Sequence, residues 1–388
     1  MIDYASVLSQ RAAAIKPSGI RKFFDLLTEM KDVVSLGVGE PDFITPWHIR
    51  DAGIYSQEKG FTKYSSNAGL SELRREIARY LERRMELSYD PDHEILVTVG
   101  GSEAIDLATR ALINPGEEVI IPEPCFVCYS PIASLADGVP VVLPLKADNE
   151  FRISPAQLEA AISPRSKLLI LPYPSNPTGG IMSREDLEAL VPIIIKHNLF
   201  VISDEIYAEL TYGQKHVSIA SLPGMRERTV VVNGFSKAYS MTGWRLGYAC
   251  APAEILGVMH KVHQFAIMCA PTTSQYAGIE AMRHGDEDIE AMKEEYDGRR
   301  RYLVQGLREL GLDCFEPRGA FYVFPSIQST GLSSEDFCEQ LLMQEHVAVI
   351  AGNAFGASGE GFVRMCYAAS MHDLETALER IRRFLEHL

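Results

Sequence analysis

From about residue 94 the chain alternates two textures. "EILVTVG", "EEVIIPEP", "SKLLILPYP", "LFVISDEIY" and "TVVVNGFSK" are short, unbroken apolar runs. "SEAIDLATRALI", "CFVCYSPIASLA" and "SREDLEALVPIIIKHN" stand between them and read as helices. A strand with one wet face alternates apolar and polar residues, whereas an unbroken apolar run belongs to a strand buried on both faces. The pattern predicts an α/β fold with a mainly parallel sheet covered by helices. After Gly285 the texture changes. A long charged helix, "DEDIEAMKEEYDGRRRYLVQGLREL", leads into short strands ("GAFYVFPSI", "VAVIAG", "GFVRMCYAA") and a last amphipathic helix. This predicts a large domain over residues 45–285 and a smaller α+β domain over 286–388, with the N-terminal segment 1–44 packed against the smaller one.

Polar residues collect where the long apolar runs stop: Gly100–Glu103, Asn176, Asp204, Tyr207, Ser236 and Lys237. In open α/β sheets, ligands bind beyond the carboxyl ends of the strands. Different strands therefore deliver these groups to one crevice. Lys237 is the odd member, because a lysine at the end of a buried strand has either a partner or chemistry to perform.

Composition narrows the field. The chain has 388 residues, 46% hydrophobic and 23% charged, with a net charge of −15. That is ordinary globular composition, and its acidity argues against a nucleic-acid partner. No apolar run approaches the roughly 20 residues of a membrane span. The start lacks a signal-peptide core followed by a cleavage site. Seven scattered cysteines suit free thiols in a reducing cytoplasm. The Cys125/Cys128 pair has no second pair at zinc spacing, and His260 and His263 have no third ligand, so no metal site is expected.

The strand ends carry a consistent chemistry. "VTVGGSEAI" is a strand, two glycines and a helix start. It reads either as a glycine turn with Ser102 as N-cap, or as a phosphate cradle of backbone N–H groups that Ser236 and Arg245 would complete. Asp204 ends a strand, Tyr207 follows three residues later, and Asn176 lies in the Pro/Gly-rich loop "YPSNPTGG". Singly these are a helix cap, a core tyrosine and a turn residue. Together, a buried aspartate that needs a cation, two donors for a phenolate oxygen and a lysine with neighbouring cations describe a pyridoxal phosphate (PLP) site.

The chain resembles the class I/II aminotransferases of the fold-type I PLP enzymes. The matching stretches are "SLGVGEPDF", "YSSNAGL", "VGGSEAI", "SNPTGG", "SDEIY", "SKAYSMTGWRLGY" and "FVRMCYA", in the family's order from residue 35 to 367. The resemblance implies that Lys237 is the Schiff-base lysine and proton shuttle. It implies that Asp204 partners the ring nitrogen and that Tyr207 and Asn176 donate to the ring oxygen. Phe126 falls where the family stacks an aromatic on the ring, commonly Trp or Tyr. Ser102, Glu103 through its backbone N–H, Ser236 and Arg245 fall at the phosphate. Tyr64 resembles a tyrosine that reaches the phosphate from the other subunit of a homodimer with shared active sites. Arg364 resembles the arginine that clamps the substrate α-carboxylate, with Asn176 and the Gly39 backbone; without the motif, an arginine after a strand is simply solvated.

The implied reaction moves an amino group from an L-amino acid to a 2-oxo acid such as 2-oxoglutarate. A C–S β-lyase of this fold resembles "SDEIH" where this chain has "SDEIY", which favours the transferase. ACC-synthase-like chemistry shares most motifs and stays open. A non-catalytic PLP-binding regulator carries an added DNA-binding domain of roughly 70 residues, for which this chain has no room. The stretch "SGIRKFFDLL" is expected to close over the substrate, with Arg21 or the apolar Ile20, Phe23 and Phe24 reading its side chain. An aromatic or large aliphatic donor is the expected substrate; aspartate, alanine and N-acetyl-diaminopimelate stay open.

Overall fold

The computed structural model describes residues 2–17 and 30–388. Its strands are β1 (Val34–Ser35), β2 (Ile95–Thr98), β3 (Glu118–Glu123), β4 (Val139–Pro144), β5 (Ser166–Leu171), β6 (Phe200–Asp204), β7 (Thr229–Gly234), β8 (Gly247–Cys250), β9 (Tyr322–Val323), β10 (Val347–Ala348), β11 (Ile350–Ala351) and β12 (Val363–Cys366). Seven of them form one sheet in the order β2-β8-β7-β6-β5-β3-β4. Strands β4, β3, β5, β6 and β7 pair in parallel. The unbroken apolar runs are these strands: every residue of β2, β7 and β8 is buried, because helices cover both faces.

Strand β8 was not among the runs read above, and it is the exception to the parallel rule. It runs antiparallel to both β7 and β2. Gly247, its first residue, lies opposite Thr98 on one side and Gly234 on the other. The start of β8 therefore meets the ends of β2 and β7 at one edge, and this brings Arg245 to the crevice. The approach is close: a Cβ on Gly247 would lie 2.6 Å from the Gly100 carbonyl carbon.

The stretch "CFVCYSPIASLA", whose pattern predicts a helix, is not helical throughout. Its helix is only Tyr129–Leu135. The Cys125 N–H is spent on the Phe355 carbonyl (2.9 Å), so residues 125–128 form a loop at the crevice.

The C-terminal part builds a three-stranded antiparallel sheet, β11-β12-β9, while β1 pairs in parallel with β10. Helices Asp286–Glu309, Ser334–Glu345 and Met371–Glu386 belong to this part. In the last of these Leu374, Ala377, Leu378, Ile381 and Phe384 are buried, at the spacing of one helical face. Tyr207 and Tyr322 share a core cluster with this sheet. The crevice at the ends of β6 and β7 thus opens at the seam between the two sheets.

Candidate active site

A cavity of about 390 Å³ lies at this seam. Nine of the residues singled out above for cofactor or substrate line it: Gly39, Ser102, Phe126, Asn176, Asp204, Tyr207, Ser236, Lys237 and Arg245, with Arg364 a tenth. They come from the end of β6 and the residues after it, the turn after β7, the turn before β8, strand β12, the helix start after β2, and the loops after β1, β3 and β5.

Lys237 follows β7 into the cavity. Its Nζ donates to the Gly39 carbonyl at 2.6 Å and lies 5.6 Å from the Tyr207 ring and 5.4 Å from the Phe321 ring. Burial pushes its ammonium down to about 8, with Arg364 and Arg245 adding repulsion against the opposing pull of Cys366 and Glu40. Asp204 is buried at the end of β6. Tyr129 Oη donates to its Oδ2 at 2.8 Å, and the Ile206 N–H reaches Oδ1 at 3.2 Å. Burial raises this carboxyl to about 6 and the adjacent Glu205 adds to that, while the two donors and Lys237 oppose it. It is a carboxylate in want of a cation.

Tyr207 is buried, with its hydroxyl 2.8 Å from that of Tyr322, and burial pushes its phenol well above the usual range. Arg364 in β12 is far from solvated, at 3% exposure. Its guanidinium lies between the rings of Tyr322 (4.6 Å) and Phe355 (4.8 Å). Nη1 donates to Asn176 Oδ1 (2.9 Å) and Nη2 to the Gly37 carbonyl (2.6 Å), while Nε is buried without a partner. That orphaned donor calls for an anion.

At the other end, Gly100 takes φ +80° at the start of the Gly101–Leu112 helix, and no side chain caps this helix. Ser102 is therefore not the N-cap but the second helical residue. The first backbone N–H groups and the positive end of the helix dipole remain for an anion. Arg245 packs against the turn so closely that a Cβ on Gly100 would lie 2.7 Å from its Nη2. Ser236 lines the same cavity.

Among the expected residues that the structure describes, Glu103, expected through its backbone N–H, and Tyr64 do not line the cavity. The Glu103 side chain points away from the cavity, toward Val99 and His263. Tyr64 is 82% exposed on the surface of this chain. Arg21, with Ile20, Phe23 and Phe24, lies outside the described residues. Among the cavity residues that the sequence does not single out are Tyr129 and Tyr322. Each is an aromatic in an apolar setting, and the only signal was proximity to Phe126 in "CFVCY" and to Arg364 across β9 and β12. Among the described residues no cluster of His, Cys, Asp or Glu could hold a metal. No described helix is long and apolar enough to cross a membrane.

The set fits PLP: a low-pKa amine, a carboxylate short of a cation, an uncapped helix start beside an arginine, and a second arginine with a buried free donor. The comparisons agree. The family of class I and II aminotransferases matches residues 31–381, and the chain belongs to it. It is 55% identical to the putative aminotransferase YugH of Bacillus subtilis (98% of each chain). It is 45% identical to the aspartate aminotransferase of Pyrococcus abyssi, over 97% of this chain and 98% of that one. The crystal structure of an aromatic aminotransferase from Pyrococcus horikoshii superposes with a TM-score of 0.90 at 43% identity, covering 94% of this chain and 99% of that one. The protein is a PLP-dependent aminotransferase.

Proposed function

We propose that Lys237 carries the cofactor in this cavity, and that the amino donor has an aromatic or large aliphatic side chain, with a 2-oxo acid such as 2-oxoglutarate as acceptor. The observation that supports the site most is the buried amine of Lys237 in one cavity with the buried Asp204 and Arg364. Bound PLP supplies a sink for the electrons of the donor's Cα–H bond. Asp204 would accept from the ring nitrogen and favour its protonated form. Tyr207 Oη and Asn176 Nδ2 would donate to the ring oxygen, and Phe126 would pack on the ring. Gly101, Ser102, Ser236 and Arg245 hold the phosphate. The Arg364 guanidinium would take the substrate α-carboxylate, with Asn176 and the Gly39 backbone beside it. Lys237 Nζ takes the proton from Cα. With its pKa near 8, roughly a tenth of it is neutral at pH 7, about two hundred times more than for an ordinary lysine.

The donor preference rests on charge. Among the described residues lining the cavity the cations are Lys237, Arg245 and Arg364, each with a role, and Glu40 adds a negative charge. None is left for a side-chain carboxylate, whereas Phe126, Ile105, Pro174 and Tyr322 offer apolar surface. Arg21 is the proposed reader of the acceptor's second acid. The 45% identical relative named an aspartate aminotransferase favours a second reading, in which Arg21 serves a dicarboxylic donor instead.

The surface of the chain supports a homodimer. Asn67 Nδ2 donates to the Met268 carbonyl (2.7 Å) and Thr272 Oγ1 to that of Lys63 (2.9 Å). Tyr64, Ile267 and Met268, all exposed, therefore share one patch, and Phe265 beside them is 88% exposed. An apolar patch of this kind marks a protein interface.

Borohydride reduction of the holoenzyme followed by peptide mapping should place the label on Lys237; a label on another lysine refutes the site. A panel of phenylalanine, leucine, alanine and aspartate against 2-oxoglutarate, pyruvate and oxaloacetate tests the substrate. Phenylalanine should exceed aspartate in kcat/KM by about tenfold or more, ~1.4 kcal/mol. The reverse order selects the second reading. Arg364→Lys should weaken every donor and acceptor by about 2 kcal/mol, roughly thirtyfold, because an ammonium cannot replace a bidentate guanidinium. Arg21→Ala should impair dicarboxylates alone. A loss confined to dicarboxylates in Arg364→Lys would reverse the two assignments.

A further inference from the structure

Two features of the sequence are left over by the function: Glu103, whose side chain leaves the cavity, and His263, half of a histidine pair with no metal. The structure joins them. Glu103 is the third residue of the uncapped Gly101–Leu112 helix. A glutamate there ordinarily reaches back to the N–H of the N-cap residue. Here its Oε2 reaches past Gly100 and accepts the N–H of Val99, the residue between β2 and the turn. Its Oε1 is 2.7 Å from Nδ1 of His263, on the Ala253–Ala266 helix. His263 is completely buried, and its other ring nitrogen has no partner. The ring's one hydrogen bond among the described residues is therefore the donation from Nδ1 to Glu103.

The placement is costly unless it does something. A carboxylate in the first turn of this helix shares the dipole end that a phosphate dianion would use, and like charges repel. Glu103 does not line the cavity, so it offers the ligand no compensating contact. What it does is clamp the two ends of the Val99–Ser102 turn to each other and to a second helix. Gly100 holds a φ of +80° in that turn, and without a Cβ it has the widest choice of conformations. The turn is thus the part of the phosphate cradle with the most freedom to lose, and the clamp removes it in advance.

We propose that the Glu103 side chain, held by His263, positions the cofactor phosphate: it fixes the turn whose N–H groups bind the phosphate, while the carboxylate itself does not touch the ligand. This rests on the reading of the cavity as the PLP site. The test uses the apoprotein titrated with PLP and with pyridoxal, which lacks the phosphate. Glu103→Ala should weaken PLP about tenfold, the effect of losing a hydrogen bond to a charged group, and change pyridoxal by less than about twofold. Glu103→Gln should stay close to wild type, because its amide oxygen accepts from Val99 and its nitrogen donates to the other tautomer of His263. His263→Leu should weaken PLP roughly threefold to fivefold, and His263→Asn, which returns a donor near the Nδ1 position, should recover most of it.

Equal losses for PLP and pyridoxal, no loss for either, or a Gln variant as poor as Ala would overturn the proposal. If Glu103→Ala does not fold, by its thermal unfolding, the His263 pair decides, and a His263→Leu protein with undiminished PLP preference overturns it. A wild-type protein that takes up no PLP, or takes it at another lysine, instead refutes the reading of the cavity and leaves the clamp geometry as it is.

Discussion

Lys237 shows how far one side chain can be changed by its surroundings. In water its ammonium would be favoured by more than three powers of ten at pH 7. In the cavity, burial and two arginines bring it down to about 8. The neutral amine is the form that attacks an aldehyde, and its fraction rises with pH until the group is fully deprotonated. The rate at which apoprotein takes up PLP should therefore climb with pH up to about 8 and level off above it. An ordinary lysine would keep climbing past pH 10. Stopped-flow absorbance across that range measures the bend, and a rate still rising at pH 10 would show that the amine is not depressed. The same residue marks what was legible at this scale. A lysine ending a buried run stands out by charge, as do Asp204 and Arg364. Tyr129, which donates to Asp204, and Tyr322, which stacks on Arg364, do not stand out. Their apolar bodies satisfy the core pattern, and their hydroxyls find partners only in three dimensions.

At the scale of elements, the buried parallel strands were the readable part, because burial on both faces leaves an unbroken apolar run. Strand β8 was hidden inside the motif "GWRLGYAC", whose glycines look like a loop. Those glycines are what the strand requires. Gly247 is wedged against the backbone of Gly100 and Gly101, with contacts of 2.6 to 3.0 Å to a built Cβ. Backbone atoms on a sheet edge cannot yield as the tip of a flexible side chain can. Gly247→Ala should consequently lower stability by about 2 kcal/mol or more and weaken PLP through the displaced turn. Gly298, on the exposed side of the Asp286–Glu309 helix, has nothing within 4 Å of such a Cβ. Gly298→Ala should raise stability by about 0.5–1 kcal/mol, from helix propensity alone. Denaturant unfolding of both variants measures the contrast; an innocuous Gly247→Ala would mean that β8 does not press on the phosphate turn.

The whole molecule poses a question that one chain cannot answer. Tyr64 is read as a phosphate ligand, yet it stands 82% exposed on a patch with Ile267 and Met268. Both statements hold if a twofold dimer carries Tyr64 into the partner's cavity, since a twofold axis exchanges the same residue between two sites. Hybrid dimers test this directly. Take one chain with Lys237→Ala and another with Tyr64→Ala, each nearly inactive alone. If Tyr64 acts across the interface, a hybrid dimer has one site with both defects. Its other site combines an intact Lys237 from one chain with an intact Tyr64 from its partner. Random reassortment makes about half of the dimers hybrid, each with one working site of two, so the mixture should recover about a quarter of wild-type activity. If Tyr64 acts within its own chain, every site in a hybrid keeps one lesion, and mixing restores nothing. Unfolding and refolding the variants together, with subunit exchange followed by native mass spectrometry, separates a failure to exchange from a failure to complement. Hybrids that form and stay inactive would remove Tyr64 from the partner's site and leave the exposed patch without its proposed role.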